Sequence, residues 1–254
     1  MPAASDRASI RSKAVCDAAV SGVFVLGAAS SVELSKQISP VLGLSQGGAG
    51  LALTILLLVG LAPVCDRLGG ALFNPANSAM LLAVGNGSLR EHFIRSVAQA
   101  LGGVVGLLAA TALLPVGWTT ELASMAVGLR PGVGLLAGAA CEFTLGAILS
   151  FVVLWSGQLK NGVLRLWVPL LATVVAVKAG ADTSGPSLNP AFTFAFVFLY
   201  PLQTPLEHLF VYWVAPIAAA AFGGLAFRGY QQLCAEREQR QATARQRQSR
   251  RKED

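Results

Sequence analysis

The chain has 254 residues, 54% of them hydrophobic and 13% charged, with a formal net charge of +6 and a mean hydropathy of +0.61. That charged fraction is about half the ~25% usual for soluble domains, so the composition is that of an integral membrane protein with no room for a soluble domain. Four cysteines without a C-x-x-C pair, and two histidines, give no support to a metal site or a disulfide framework, and no cofactor is expected.

Six runs reach or approach the ~20 apolar residues a spanning helix needs: residues 14–31, 50–65, 93–114, 134–155, 163–181 and 209–230. The first is followed by further spans and lacks a small-residue cleavage site, so it reads as retained helix rather than a removed signal peptide. Residues 1–13 are then a short cytosolic N-terminus. Residues 231–254 form a basic cytosolic tail, expected to be disordered, whose last twenty positions carry seven Lys/Arg against four Asp/Glu. The tail reads first as a topology anchor, next as a patch attracted to anionic lipid, and last as a nucleic-acid contact, since no aromatic or motif accompanies its charge; no nucleic-acid partner is expected.

Orientation follows from the short-loop cations. Arg7, Arg11 and Lys13 precede the first span, Arg67, Arg90 and Arg95 lie between the second and third, Lys160 and Arg165 between the fourth and fifth, and Arg228 begins the tail, whereas the other side has chiefly Lys36 and Arg130. Both termini are expected in the cytosol, which leaves the sequon Asn86-Gly87-Ser88 unglycosylated.

Two internal similarities divide the chain. Cys16-Asp17 and Cys141-Glu142 each open a span, 125 residues apart, and Asn74-Pro75-Ala76 and Asn189-Pro190-Ala191 stand 115 apart. The halves, about 14–115 and 134–230, each hold three spans. Three is odd, so the second half enters from the opposite side and the repeat is inverted, an arrangement that places a functional site at the repeat interface.

Asn is a preferred N-cap and Pro a preferred first helical residue, so each Asn-Pro predicts a helix start. The apolar run after Asn74 stops at residues 84–88, and that after Asn189 stops before Pro201. Roughly ten residues at 1.5 Å each cover about half of the ~30 Å hydrocarbon core, so these are half-helices. One enters from each side, and their N-termini are expected to meet at the midplane beside a water-filled path. Asn-Pro alone is a common turn opener; two copies in matching places of inverted halves are harder to dismiss.

At these residues the chain resembles the major intrinsic proteins, the aquaporin family, from Ala14 to Tyr230. It looks most like the small basic intrinsic protein branch, with Asp17 where most members have Glu, a short N-terminus, "GPSLNPAF", "VYWVAPI" and a basic tail. The resemblance implies an all-α membrane protein of six transmembrane helices and two re-entrant half-helices, with residues 14–230 as the channel domain. It implies a homotetramer in the lipid bilayer with one pore per subunit, and Asn74 and Asn189 amides donating to a file of water. Repulsion of cations at the two positive helix ends is general to aquaporin-type pores.

Mapped from the two tripeptides, the family's four selectivity positions become Thr54, Val177, Pro186 and Phe192. Water-selective members usually hold Arg after the second tripeptide and His in the fifth span; here Phe192 and Val177 stand there. The filter should be more apolar than a strict water channel's. Water is the first expectation for the substrate, with hydrogen peroxide or glycerol behind it.

Asp17 and Glu142 are intramembrane carboxylates, which mark function by default. A proton relay or an aspartyl protease site would use such a pair. Their repeat-equivalent placement favours structural roles, accepting hydrogen bonds from the loops that carry the half-helices, and no enzyme is expected. Gly102 with Gly106 and Gly134 with Gly138 have helix-packing spacing. Tyr212, Trp213, Trp118, Trp155 and Trp167 fit interfacial belts. Two other classes stay beside the passive pore: a coupled secondary transporter, for which no midplane ion site is visible beyond the two asparagines, and a poorly conducting structural or junctional relative. The branch resemblance favours the endoplasmic reticulum, with the plasma membrane as the alternative.

Overall fold

The computed structural model describes residues 4–119, 122–125 and 127–253, which form helices, turns and connecting loops without a strand. In chain order the helices are α1 (Ala4–Leu42), α2 (Gln46–Arg67), α3 (Pro75–Ala83), α4 (Leu89–Leu113), α5 (Val116–Thr119), α6 (Leu135–Ser156), α7 (Gly162–Ala179), α8 (Pro190–Leu199), α9 (Pro205–Leu209) and α10 (Ala215–Glu253). Six helical stretches are long and apolar enough to cross a membrane. An even number of crossings puts both ends of the described chain on one face.

Most helix starts are written locally. Ser45, Ser88 and Asn161 accept from backbone N–H groups of the first turns of α2, α4 and α7. Thr204 and Glu207 form a reciprocal capping box at α9. Between α9 and α10 the chain takes a π turn, Phe210–Val214. Pro216 explains it: without an N–H, and with a ring that would strike the carbonyl of Tyr212, it prevents regular α-helix one turn earlier.

Two elements run further than expected. The first span, expected to end at Ser31, continues to Leu42. The serines at and beyond the expected end satisfy themselves within the helix: Ser30, Ser31 and Ser35 donate to carbonyls three or four residues back at 2.9, 2.6 and 2.6 Å, so their hydroxyls need no water. The tail, expected to be disordered, continues α10 to Glu253. After Gly229 it holds no Gly or Pro and is rich in Ala, Gln, Arg and Glu, all strong helix formers. Glu236 and Arg240 add an exposed i,i+4 pair at 4.0 Å.

In each half the first and third spans pack together, α1 on α4 and α6 on α10, while each half-helix lies on the other half: α3 on α10 and α8 on α4. Paired glycines make both approaches possible. A Cβ on Gly102 would overlap the Ala18 carbonyl of α1, and one on Gly223 would lie 2.6 Å from the Ala147 carbonyl of α6. A Cβ on the next residue, Gly103 or Gly224, would lie 3.1 Å from Ala191 of α8 or 2.9 Å from Met80 of α3. Gly106 likewise sits against Gly22, and Gly138 against the Leu129 side chain, but Gly134 meets nothing and instead precedes α6 as its N-cap.

Candidate functional site

The two half-helices start as their sequences dictate. Asn74 and Asn189 are extended N-caps, with Pro75 and Pro190 at the first helical position. The Asn74 side-chain oxygen accepts from the Ala76 N–H at 2.9 Å, and that of Asn189 from the Ala191 N–H at 3.1 Å. Each amide nitrogen then crosses to the other half. Asn74 Nδ2 donates to the Leu188 carbonyl at 2.9 Å, and Asn189 Nδ2 to the Phe73 carbonyl at 3.1 Å. The residue before one asparagine thus receives the other asparagine. An amide nitrogen has two N–H groups, so this leaves one on each asparagine for the space between them.

The carboxylates anchor the loops that deliver these caps. Asp17 accepts from the Leu72 N–H at 2.8 Å, and Glu142 from the Ser187 and Leu188 N–H groups at 3.2 and 3.1 Å. Leu188 has φ +50°, a left-handed conformation that is costly for a branched side chain. It is held there from both sides, with its N–H on Glu142 and its carbonyl on Asn74.

Asp17 has a second, ionic, set of partners that the sequence reading missed. Arg95 reaches it through Nε at 2.7 Å and Nη2 at 3.0 Å, Gln99 donates at 2.8 Å, and Arg95 Nη2 also caps the Gly70 carbonyl at 2.8 Å. Arg95 was expected as a loop charge of the topology signal. It is instead nearly two turns inside α4 and 4% exposed. The spacing Glu91-Arg95-Gln99, with i,i+4 intervals on one helix face, was the available signal.

One cavity of about 330 Å³ contains the expected residues. Thr54 of α2, Val177 of α7, Pro186 of the following loop and Phe192 of α8 all line it, together with Asn74, Ala76 and Asn189. Pro75 and Pro190 are buried beneath it, and Ala191 is 1% exposed. Further lining residues escaped the sequence reading: Phe24, Phe73, Asn77, Met125 and Thr173 among them. Phe24 was legible as the i+7 position from Asp17 on a helix, and Ala28 as i+11. Phe73, Phe24, Phe192 and Phe196 form a tilted series with successive centroids 4.8, 6.0 and 4.7 Å apart.

The polar groups are sparse and oriented. Thr54 and Thr173 donate their hydroxyls to Gly50 and Pro169 carbonyls at 2.9 and 2.8 Å, which leaves their oxygens as acceptors. Among the described residues that line the cavity, none carries a charge. The described cysteines are free, and no group of three His, Cys, Asp or Glu residues gathers among the described residues. Tyr212, expected in an interfacial belt, is 1% exposed and donates its hydroxyl to the Ser184 carbonyl at 2.8 Å.

Six spans in two inverted halves, with two capped half-helices abutting over an uncharged cavity, define a membrane channel fold. The family model for "Major intrinsic protein" matches residues 5–227. Aquaporin SIP1-1 of Zea mays is 32% identical over 226 residues, 85% of this chain and 90% of that protein. Aquaporin SIP1-1 of Oryza sativa subsp. japonica is 32% identical over 228 residues, covering 85% and 91%. The solved aquaglyceroporin from Plasmodium falciparum superposes with a TM-score of 0.59 at 20% identity, over 84% of this chain and 93% of that one, a likeness of fold alone. The chain belongs to the major intrinsic protein family, and within it resembles the small basic intrinsic proteins. It is an integral multi-pass membrane protein of a channel family rather than an enzyme family.

Proposed function

We propose that this chain conducts water passively through the cavity between its half-helices, admits small neutral solutes such as hydrogen peroxide or glycerol, and excludes protons and ions. One observation carries the reading: two helix N-termini meet with one amide N–H left over on each capping asparagine, in a cavity without a charged lining. Each N-terminus presents roughly half a positive charge, so a cation at their junction is repelled while a neutral water is oriented. Thr54 and Thr173 oxygens supply acceptors along the same path. The filter is Thr54, Val177, Pro186 and Phe192, and it sorts solutes by size and apolar contact.

The aromatic series through Phe24 and Phe192 favours one second reading, a constriction that dewets and conducts poorly. Osmotic shrinkage of vesicles holding the purified protein separates the two. Shrinkage no faster than in protein-free vesicles would overturn conduction. Phe192→Arg tests the filter: a guanidinium offers fixed donors to water and lowers the glycerol-to-water permeability ratio. An unchanged ratio in an equally well-folded variant would remove Phe192 from the filter.

The physiological setting we propose is a homotetramer in the endoplasmic reticulum with cytosolic termini. Apolar surface left open on α2 and α7, such as Leu56 at 65% and Val175 at 66% exposure, suits contact with lipid or with a neighbouring subunit alike. Arg67, Arg90, Lys160 and Arg165 support the orientation without Arg95. Glycan on Asn86 in microsomal expression would reverse it.

A further inference from the structure

On the face opposite the termini, the cavity is bounded by connecting segments, one of them carrying a 3₁₀ turn at Leu122–Met125, rather than by spanning helix. Met125 and Val127 come from the connection between α4 and α6, and Pro186, Ser187 and Leu188 from the loop between α7 and α8. The first stretch is seated on the helical core through Leu122, which is fully buried, with Met125 packed against the same cluster.

Arg130 spans the gap. Its backbone N–H donates to the Thr183 carbonyl at 3.0 Å, and its Nε to the Ala181 carbonyl at 2.8 Å. Its guanidinium lies flat enough on Gly185 that a Cβ there would sit 3.1 Å from Nη2 and 3.4 Å from Cζ. The side chain thus holds residues 181 and 185 and the backbone N–H residue 183, immediately before Pro186. Its own backbone is preset. Arg130-Pro131-Gly132-Val133 is a tight turn closed by Val133 N–H on the Arg130 carbonyl at 3.0 Å, with Gly132 at φ +82°. The rest of the gripping stretch is secured at Val127, whose carbonyl accepts from Gln203.

The loop's inner part has other holders: Glu142 at Ser187 and Leu188, and Tyr212 at the Ser184 carbonyl. Pro186 lies between the inner grip and the Arg130 grip. We propose that Arg130 is a specificity-determining positioning residue: by tying the wall formed by Met125 and Val127 to the Pro186 wall it sets the width of the cavity's mouth on that face, and hence the largest solute admitted. This rests on the conduction reading above for its transport consequence, and on geometry alone for the tie. A lysine would keep the charge but not the planar fork that holds Ala181 while covering Gly185.

The test compares wild type with Arg130→Ala, Arg130→Lys and Gly185→Ala. The last leaves the arginine in place, crowds its guanidinium by a few tenths of an ångström and strains the loop at a position already in the left-handed region. Stopped-flow permeability of glycerol and of water in vesicles is expected to give a glycerol-to-water ratio raised about fivefold in all three, the factor corresponding to one ordinary hydrogen bond. Backbone hydrogen exchange of residues 180–188 should rise in the same variants, with residues 70–76 unchanged. An unaltered ratio in folded Arg130→Ala, or a wild-type ratio in Arg130→Lys, would overturn the proposal. If wild type passes neither solute, the conduction reading falls first, and the exchange measurement decides the tie: unchanged exchange at 180–188 overturns it.

Discussion

Asp17 and Glu142 stand at equivalent places in the two halves and hold equivalent backbone. Leu72 bonds to Asp17 as Ser187, 115 residues later, bonds to Glu142. Their other partners differ in kind. Asp17 is fully buried in a charged cluster with Arg95 and Gln99, whereas Glu142, equally buried, has only neutral donors among the described residues. An inverted repeat therefore imposes one backbone geometry twice without imposing one electrostatic solution. The first half fixes its loop through an ion pair, and the second through hydrogen bonds and the Tyr212 and Arg130 grips.

The comparison breaks most visibly at Arg95. Arg95→Met leaves Asp17 buried without its cation, holding only the Leu72 and Gln99 hydrogen bonds, a loss of about 3–5 kcal/mol by the usual cost of breaking a buried pair. Thermal unfolding in detergent should show little folded protein. Adding Asp17→Asn should recover part of the loss, because the stranded charge goes with it. Equal instability of single and double variants would mean that Arg95 acts through packing.

Next in size are the two asparagines, which the comparison treats as equals despite their different halves. Asn74→Ala and Asn189→Ala each remove a cap worth about 1 kcal/mol and a cross-half hydrogen bond worth about 1 kcal/mol. Both should lower the unfolding midpoint by similar amounts and reduce water permeability. A clear inequality in the midpoints would show that the electrostatic difference between the halves reaches their junction. The smallest effect is expected for Glu142→Gln, about 1 kcal/mol for one lost hydrogen bond, since the amide oxygen still accepts from one of two N–H groups. A loss as large as that of Arg95→Met, read in the same melt, would cancel the distinction between the two anchors.

Much of this was legible from residues. The Asn-Pro pairs announce both half-helices because capping and the proline ring act within a few residues. The six spans show because bilayer thickness imposes a length. Thr54, Val177, Pro186 and Phe192 were reached through family spacing, and the structure gathers them in one cavity. Arg95 was misread because a cation near a helix start looks the same to a charge count whether it faces lipid headgroups or a buried carboxylate. Phe73 was passed over because an aromatic in an apolar run has no local mark of the face it will occupy, whereas the i+7 interval from Asp17 that marks the face of Phe24 was not used.

By itself the sequence determined the properties that depend on short stretches of chain: membrane residence, the number of crossings, the inversion of the halves and the places where the two half-helices begin. Only the tertiary structure decided which groups meet across long intervals. Asn74 with Leu188, Asn189 with Phe73, Arg95 with Asp17 and Arg130 with Ala181 are all such pairs. The physical reason is that caps and apolar lengths are satisfied within a turn or a span, while donors and acceptors far apart in the chain meet only after the helices have packed, as where Gly102-Gly103 and Gly223-Gly224 let backbones close on one another.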